Sequence, residues 1–316
     1  RPHRRCALST TAPKTNANEG RSPSWLPALL VVAAAGFAVL AGLAGWYRYA
    51  LSPIQRESGA SAIELFEVRA GDSLAGVARA LEDRGLIRSA LALRGLARVH
   101  SFDTKLKVGE YELSPDLSTL EIVQILAEGR VRTHAVVIPE GIRAVEIADR
   151  LAQEGLADRE EFLRVVFDPE APKRFSVEGP TLEGYLFPDT YRFSKGLSAS
   201  KIAEAMVDEF REVYRSIRAS APKRDLSMRE LVTLASIVEK ETGVPEERPL
   251  IAAVFLNRMQ RGMRLETDPT VIYGIADFDG NLRRIHLDDA ENPYNTYQIP
   301  GLPPGPIASP GRAALR

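Results

Sequence analysis

A chain of 316 residues with 41 Lys+Arg against 42 Asp+Glu, 45% hydrophobic and 26% charged positions, is made like an ordinary globular protein. Collagenous, disulfide-stapled and wholly disordered chains are excluded. A formal net charge of −1 offers phosphates no general attraction, so no nucleic-acid partner is expected, and the single Cys6 cannot form an internal disulfide.

From the N-terminus, Arg1, Arg4, Arg5, Lys14 and Arg21 stand against one acid, Glu19, in a stretch rich in Pro, Ser, Thr and Asn. Residues 1–24 are expected to be a disordered cytoplasmic tail, because positive flanks stay inside. Trp25 to Tyr47 carries no charge and is bounded by Trp25, Trp46 and Tyr47. At about 1.5 Å per residue such a helix reaches roughly 34 Å, enough for the hydrocarbon core. Residues 25–47 therefore read as a single transmembrane helix of the cytoplasmic (inner) membrane, with everything after Arg48 outside the cytoplasm. The alternative is a secretory signal peptide with Ala33-Ala34-Ala35 as its cleavage site, although the uncharged run exceeds the usual h-region of about 7–15 residues.

Residues 52–62 form a short polar tether. Alternation from Ile63 leads to a turn at Ala70-Gly71, and Asp72 or Ser73 can cap a helix with Leu74, Val77, Ala78 and Leu81 on one face. Gly85 ends it, a second helix follows over about 89–99, and a strand over 107–113. This strand, helix, helix, strand order over 63–130 is that of a LysM-like module, which suggests glycan binding. Ser118 with Glu121 forms a capping box for a helix to about Glu128. Val68, Gly71, Ala78, Leu81, Gly85 and Leu86 recur as Val137, Gly141, Ala148, Leu151, Gly155 and Leu156, with one extra residue in the turn. The βα unit is thus repeated.

Residues 131–316 read as a mixed α/β domain. Aromatics interleaved around Pro188-Asp189 over 178–193 suggest two short strands. An amphipathic helix over about 199–216 carries Ile202, Met206, Phe210 and Val213, and Lys223-Arg224-Asp225 is a polar break. Ser227 with Glu230 caps a helix striped by Leu231, Leu234, Ala235 and Val238 that ends near Gly243. A further helix runs from about 246 to 260. Asp268-Pro269 predicts a turn.

Two carboxylates stand out late in the capped helix. Glu239 adjoins the apolar stripe, and Glu241 diverges from it by roughly 200° at about 100° per residue, so the two cannot address one bond. The commonest fate of such a pair is a solvated helix end. Asn292-Pro-Tyr-Asn-Thr-Tyr297 precedes a stiff Pro/Gly stretch, 299–307. Neutral polar and aromatic groups of this kind suit a sugar, but equally make turns and core. His3, His100, His134 and His286 are scattered without metal-ligand spacing. No GxSxG elbow, SxxK motif, phosphate loop or dinucleotide fingerprint occurs in the exported part.

YLFPDTYRF, LASIVEKET, VFLNRM, MRLETDPTVIYG and YNTYQIPGLPPGPIASPG, in this order behind one membrane span, resemble the YceG-like (MltG) family of membrane-anchored endolytic murein transglycosylases. The resemblance spans about 63–311. It implies an α+β protein with a transmembrane helix, a LysM-like βααβ subdomain (63–130) and a catalytic domain (131–316). It implies Glu239 as the catalytic acid/base, with neither metal nor cofactor, cutting nascent glycan strands at the membrane beside cell-wall synthases. Asn295, Tyr294, Tyr297, Asp268 and Tyr185 are the candidates for positioning the sugar. Family members continue past the SPG motif, whereas this sequence stops at Arg316, so it is expected to be cut short or to lack a terminal strand. The other reading is a non-catalytic peptidoglycan-binding scaffold for the synthases.

Overall fold

The computed structural model describes residues 25–55, 62–99, 106–220 and 225–316; the expected tail, part of the tether and Lys223-Arg224 lie outside them. Helix α1 (Leu26–Leu51) runs four residues beyond the expected end of the span. It is long and apolar enough to cross a bilayer, and Leu29, Val32, Phe37 and Leu40 on it are exposed. Its end is docked rather than loosely tethered. The Arg88 guanidinium donates to the Pro53 carbonyl at 2.9 Å and the Ile54 carbonyl at 2.9 Å, and lies 4.7 Å over the Tyr49 ring. Ile54 and Gln55 both donate backbone N–H to the Pro115 carbonyl.

Two units of like order follow. In the first, β1 (Glu64–Val68), α2 (Leu74–Asp83), α3 (Ala90–Val99) and β2 (Gly109–Leu113) bring the two strands together antiparallel, Phe66 opposite Tyr111. Phe66 and Val68 point inward with period two, and α4 (Thr119–Glu128) closes the core with Ile122 and Leu126. In the second, β3 (His134–Val137) pairs antiparallel with β4 (Thr190–Phe193) around α5 (Ala144–Gln153), α6 (Arg159–Val166) and the short α7 (Ala171–Arg174). The repeated residues do the same work twice. Leu86 donates to the Leu81 carbonyl and Leu156 to the Leu151 carbonyl, each at 2.9 Å, across Gly85 and Gly155 at φ 68° and 64°. These are left-handed helix ends that glycine adopts without strain.

Only one of the two strands expected over 178–193 forms. Gly184 sits at φ 82°, and a Cβ there would overlap Pro306. Close packing of this backbone on residues 306–308 takes the place of a strand ladder.

The long α8 (Ala199–Ser220) precedes α9 (Met228–Glu241), whose Ser227–Glu230 capping box forms as expected. Every side chain from Val232 to Val238 is buried, so α9 is wrapped on all sides. Val232 and Ala235 pack into the large core with Phe162 and Phe210, while Leu234, Ile237 and Val238 pack with Phe255 and Ile307. A 3₁₀ turn, Pro245–Glu247, leads into α10 (Arg248–Gln260), followed by α11 (Asp268–Gly274) and α12 (Arg284–Leu287). The Asp-Pro pair expected to make a turn instead opens α11, where proline's fixed φ is suited to the first helical turn.

The N-terminus of α5 is capped from a distance. Arg143 offers it no acceptor, but Glu183, 2% exposed, accepts from the Ala144 amide at 2.9 Å. Tyr273 donates to the other Glu183 oxygen at 3.4 Å. Burial raises the Glu183 carboxyl from its ordinary 4.5 to about 7, against the lowering effects of the Ala144 amide and the Arg143 charge. The folded state then holds a proton that the unfolded chain releases, so stability falls as pH rises from about 4.5 to about 7. Glu183→Gln keeps the acceptor and removes the titration. Denaturant unfolding at pH 5 and pH 8 should show the wild type losing on the order of 3 kcal/mol more than the variant across this range.

Candidate active site

The last turn of α9 delivers Glu239 into a closed setting, its side chain 5% exposed. One carboxylate oxygen accepts from Arg248 Nη2 at 2.6 Å, and the other from the Gly311 backbone amide at 3.0 Å. Local sequence explains each partner. Thr242 donates to Glu247 at 2.7 Å and accepts from the Val244 amide, so the α9–α10 turn is pinned and α10 begins with Arg248 facing back. Gly311 arrives because residues 309–311 lie along the second repeat's turn. Gly141 donates to the Ser309 carbonyl at 2.8 Å, and Ser309 donates to the Ile142 carbonyl at 2.9 Å. Gly141, at φ 75°, lies alongside the Glu239 side chain, and Lys240 Nζ donates to the Gly141 carbonyl at 3.1 Å. Glu140, in the same turn, places Oε2 3.8 Å from Arg248 Nη2.

Glu241 faces elsewhere, as the helical spacing requires. It accepts from the Thr267 hydroxyl, and beside Thr267 the Tyr297 hydroxyl donates to Asp268 at 2.8 Å. Burial first, then Asp268, pushes the Tyr297 hydroxyl up to about 12. Asp268 and Tyr297 are thus joined through Thr267 to Glu241.

The remaining sequence candidates have other surroundings. Tyr294 is half-buried, its ring 4.6 Å from that of Tyr273, which in turn carries the Arg143 guanidinium at 4.6 Å and reaches Glu183. Asn295 is fully buried, its amide donating to the carbonyls of His286, Leu287 and Asp289. That amide ties a loop together and has no face for a sugar. Tyr185 is also fully buried, donating to the Glu178 carbonyl and meeting Phe210 edge-on at 5.1 Å. It belongs to the core.

A groove of about 920 Å³ runs beside the carboxylate, lined by Val238, Arg248, Glu140, Leu256, Asn257 and residues 312–316 among others. Glu239 itself is not among the groove's lining residues, but its partner Arg248 is. Sequence reasoning missed Arg248, Glu140 and Gly311. The one available signal was the extra residue in the second repeat's turn, which falls within 138–140 beside Gly141. Among the described residues, no three His, Cys, Asp or Glu side chains are grouped to hold a metal ion.

Residues 66–316 match the model of the YceG-like family. The chain is 28% identical over 280 residues to the endolytic murein transglycosylase of Bacillus subtilis strain 168, covering 84% of this chain and 77% of that one. It is 29% identical over 276 residues to the protein of the same name from Streptococcus pneumoniae serotype 2, covering 78% of this chain and 50% of that one. A crystal structure described as a yceG-like protein from Listeria monocytogenes aligns with TM-score 0.53 and 34% identity, covering 80% of this chain and 88% of that one. With the family match spanning most of its length, the chain belongs to the YceG-like family.

Proposed function

We propose that this chain is a membrane-anchored endolytic lytic transglycosylase that cuts the MurNAc–GlcNAc bond of nascent peptidoglycan and leaves 1,6-anhydroMurNAc ends, stopping strand elongation. The observation that carries this reading is Glu239. It is the first glutamate of IVEKET, secluded at 5% exposure and oriented by two donors, in a chain whose relatives are named for that activity. Glu239 protonates the glycosidic oxygen as the C1–O bond breaks. It then, as carboxylate, takes the proton of the muramyl C6 hydroxyl as that oxygen closes on C1. The nucleophile belongs to the substrate, so no carboxylate nucleophile, metal or cofactor is required. Asp268, Tyr297 and Tyr294 bear on the sugar, while Asn295 and Tyr185 act by shaping the loop and core behind them. The LysM-like first unit holds the strand close to the anchor, near the synthases.

The orientation follows from the basic flank and the apolar run: N-terminus cytoplasmic, the rest periplasmic or extracytoplasmic. A reporter joined after Arg48 should be active only outside the cytoplasm, with the protein remaining in membranes. A released form starting near residue 36 would instead support a cleaved signal peptide.

Glu239→Gln should abolish cleavage of unbranched murein strands while still folding, with a lowered melting temperature because the mostly buried Arg248 side chain loses its anionic partner. Glu241→Gln should cost far less activity, since the two carboxylates face different partners. Cleavage retained by folded Glu239→Gln would reject the assignment. Tight strand binding without any cleavage by the wild type would favour the scaffold.

The intramolecular route should outrun hydrolysis, because tethering supplies an effective molarity on the order of 10⁵ M or more. Mass spectrometry of the products should find ends lighter by one water than hydrolysed ends. Reducing ends as the main product would mean that an acid activates water.

A further inference from the structure

Glu239 is held through contacts in which it only accepts. Both its oxygens accept from groups that only donate, a guanidinium and a backbone amide. A protonated carboxyl keeps lone pairs for both donors but loses the charge that makes the 2.6 Å guanidinium contact strong, so the Arg248 contact is the one that loosens in the acid step. The Gly311 amide belongs to a backbone segment tied to the second repeat's turn through Ser309. Arg248 is the movable partner, and a second acceptor waits for it. Glu140 Oε2 is 3.8 Å from the same Nη2 that touches Glu239 at 2.6 Å, and the Glu140 side chain is 48% exposed against 5% for Glu239. A shift of roughly 1 Å brings the guanidinium into charge-assisted contact with Glu140.

Two further features point the same way. Arg248 Nε is buried without a hydrogen-bond partner, so the pairing with Glu239 leaves a donor unused that a side-on, two-bonded pairing with Glu140 would engage. The Glu140 carboxylate also lies against Gly311, in the space a Cβ there would take, which brings both carboxylates to one backbone segment. Arg248 and Glu140 line the groove and Glu239 does not, so a strand in the groove meets the pair directly.

We propose that Arg248 is a positioning residue that passes between two carboxylates, held by Glu239 at rest and by Glu140 while Glu239 carries the proton it donates. The proposal rests on Glu239 being the acid/base. As Arg248 leaves, loss of the cation favours the proton on Glu239. As the C1–O bond breaks and that proton moves to the leaving oxygen, the new carboxylate draws Arg248 back, before the C6 hydroxyl returns a proton to Glu239 and frees Arg248 again. The other charges nearby are Lys240, bonded to the Gly141 carbonyl, and Arg312 and Arg316 along the groove. These cations are left in place by the variants below.

The test is the pH dependence of kcat for cleavage of unbranched murein strands by the detergent-solubilised full chain, with melting temperatures alongside. In Glu140→Gln, Arg248 stays on Glu239, so kcat at neutral pH should fall about tenfold and the alkaline limb should move to lower pH. In Arg248→Met the limb should move to higher pH by about one unit or more. Arg248→Lys, which keeps the charge, should return it towards the wild type. A purely structural role would lower rates without moving the limbs in opposite directions. Folded variants whose limbs stay put or move together overturn the proposal. If Arg248→Met does not fold, an unmoved limb in folded Glu140→Gln overturns it alone. Cleavage by Glu239→Gln would instead reject the acid assignment beneath it, whatever the limbs do.

Discussion

A carboxylate withdrawn from water must be compensated by charge or by hydrogen bonds, since isolated burial of such a group costs many kcal/mol. Glu239 meets that requirement with one guanidinium and one backbone amide, and each draws a different part of the chain to the end of α9. Arg248 fixes where α10 starts, and Gly311 fixes where the C-terminal stretch lies. Around this point the helix itself has no solvent face from Val232 to Val238, so the carboxylate is held by a rod packed into two cores at once. Small movements of α9 are resisted on every side.

The repeated βα unit has two different uses. In the first copy the turn at Gly71 is unobstructed, with open space where a Cβ would be. In the second, the corresponding Gly141 bonds to Ser309 and has the Glu239 side chain beside it, and the lengthened turn contributes Glu140. A scaffold element that packs helix on strand in one place thus forms a wall of the site in the other. The first copy receives the end of α1 through Arg88 and Pro115, so the apolar helix and the first folded unit meet through defined hydrogen bonds. Such docking limits how freely the first folded unit can swing about α1.

Polar groups at the site are distributed between two faces of one helix end. Glu239 looks towards Arg248 and the second repeat, and Glu241 towards Thr267, Asp268 and Tyr297. A third group, Tyr294, Tyr273, Arg143 and Glu183, joins the Asn/Tyr loop to the capped start of α5. The Pro/Gly stretch links them, with Ile307 donating its amide to Ser236 on α9 and Gly311 reaching Glu239.

Local chemistry was enough to read much of this from the residues. Capping boxes at Ser118 and Ser227, glycine ends at Gly85 and Gly155, the uncharged run of α1, the repeat, and the divergence of Glu239 from Glu241 all depend on spacings of a few residues, which a sequence displays directly. The tertiary structure decided what depends on approach across long separations. It made 178–189 irregular by packing Gly184 on Pro306, and committed Asn295 and Tyr185 to the interior. It also brought Arg248 and Gly311, which stand far apart in the chain, to the Glu239 carboxylate, with Glu140 beside Arg248. An arginine at the start of a helix or a glutamate in a turn looks like any solvated charge in a sequence; only the fold removes the water from between them.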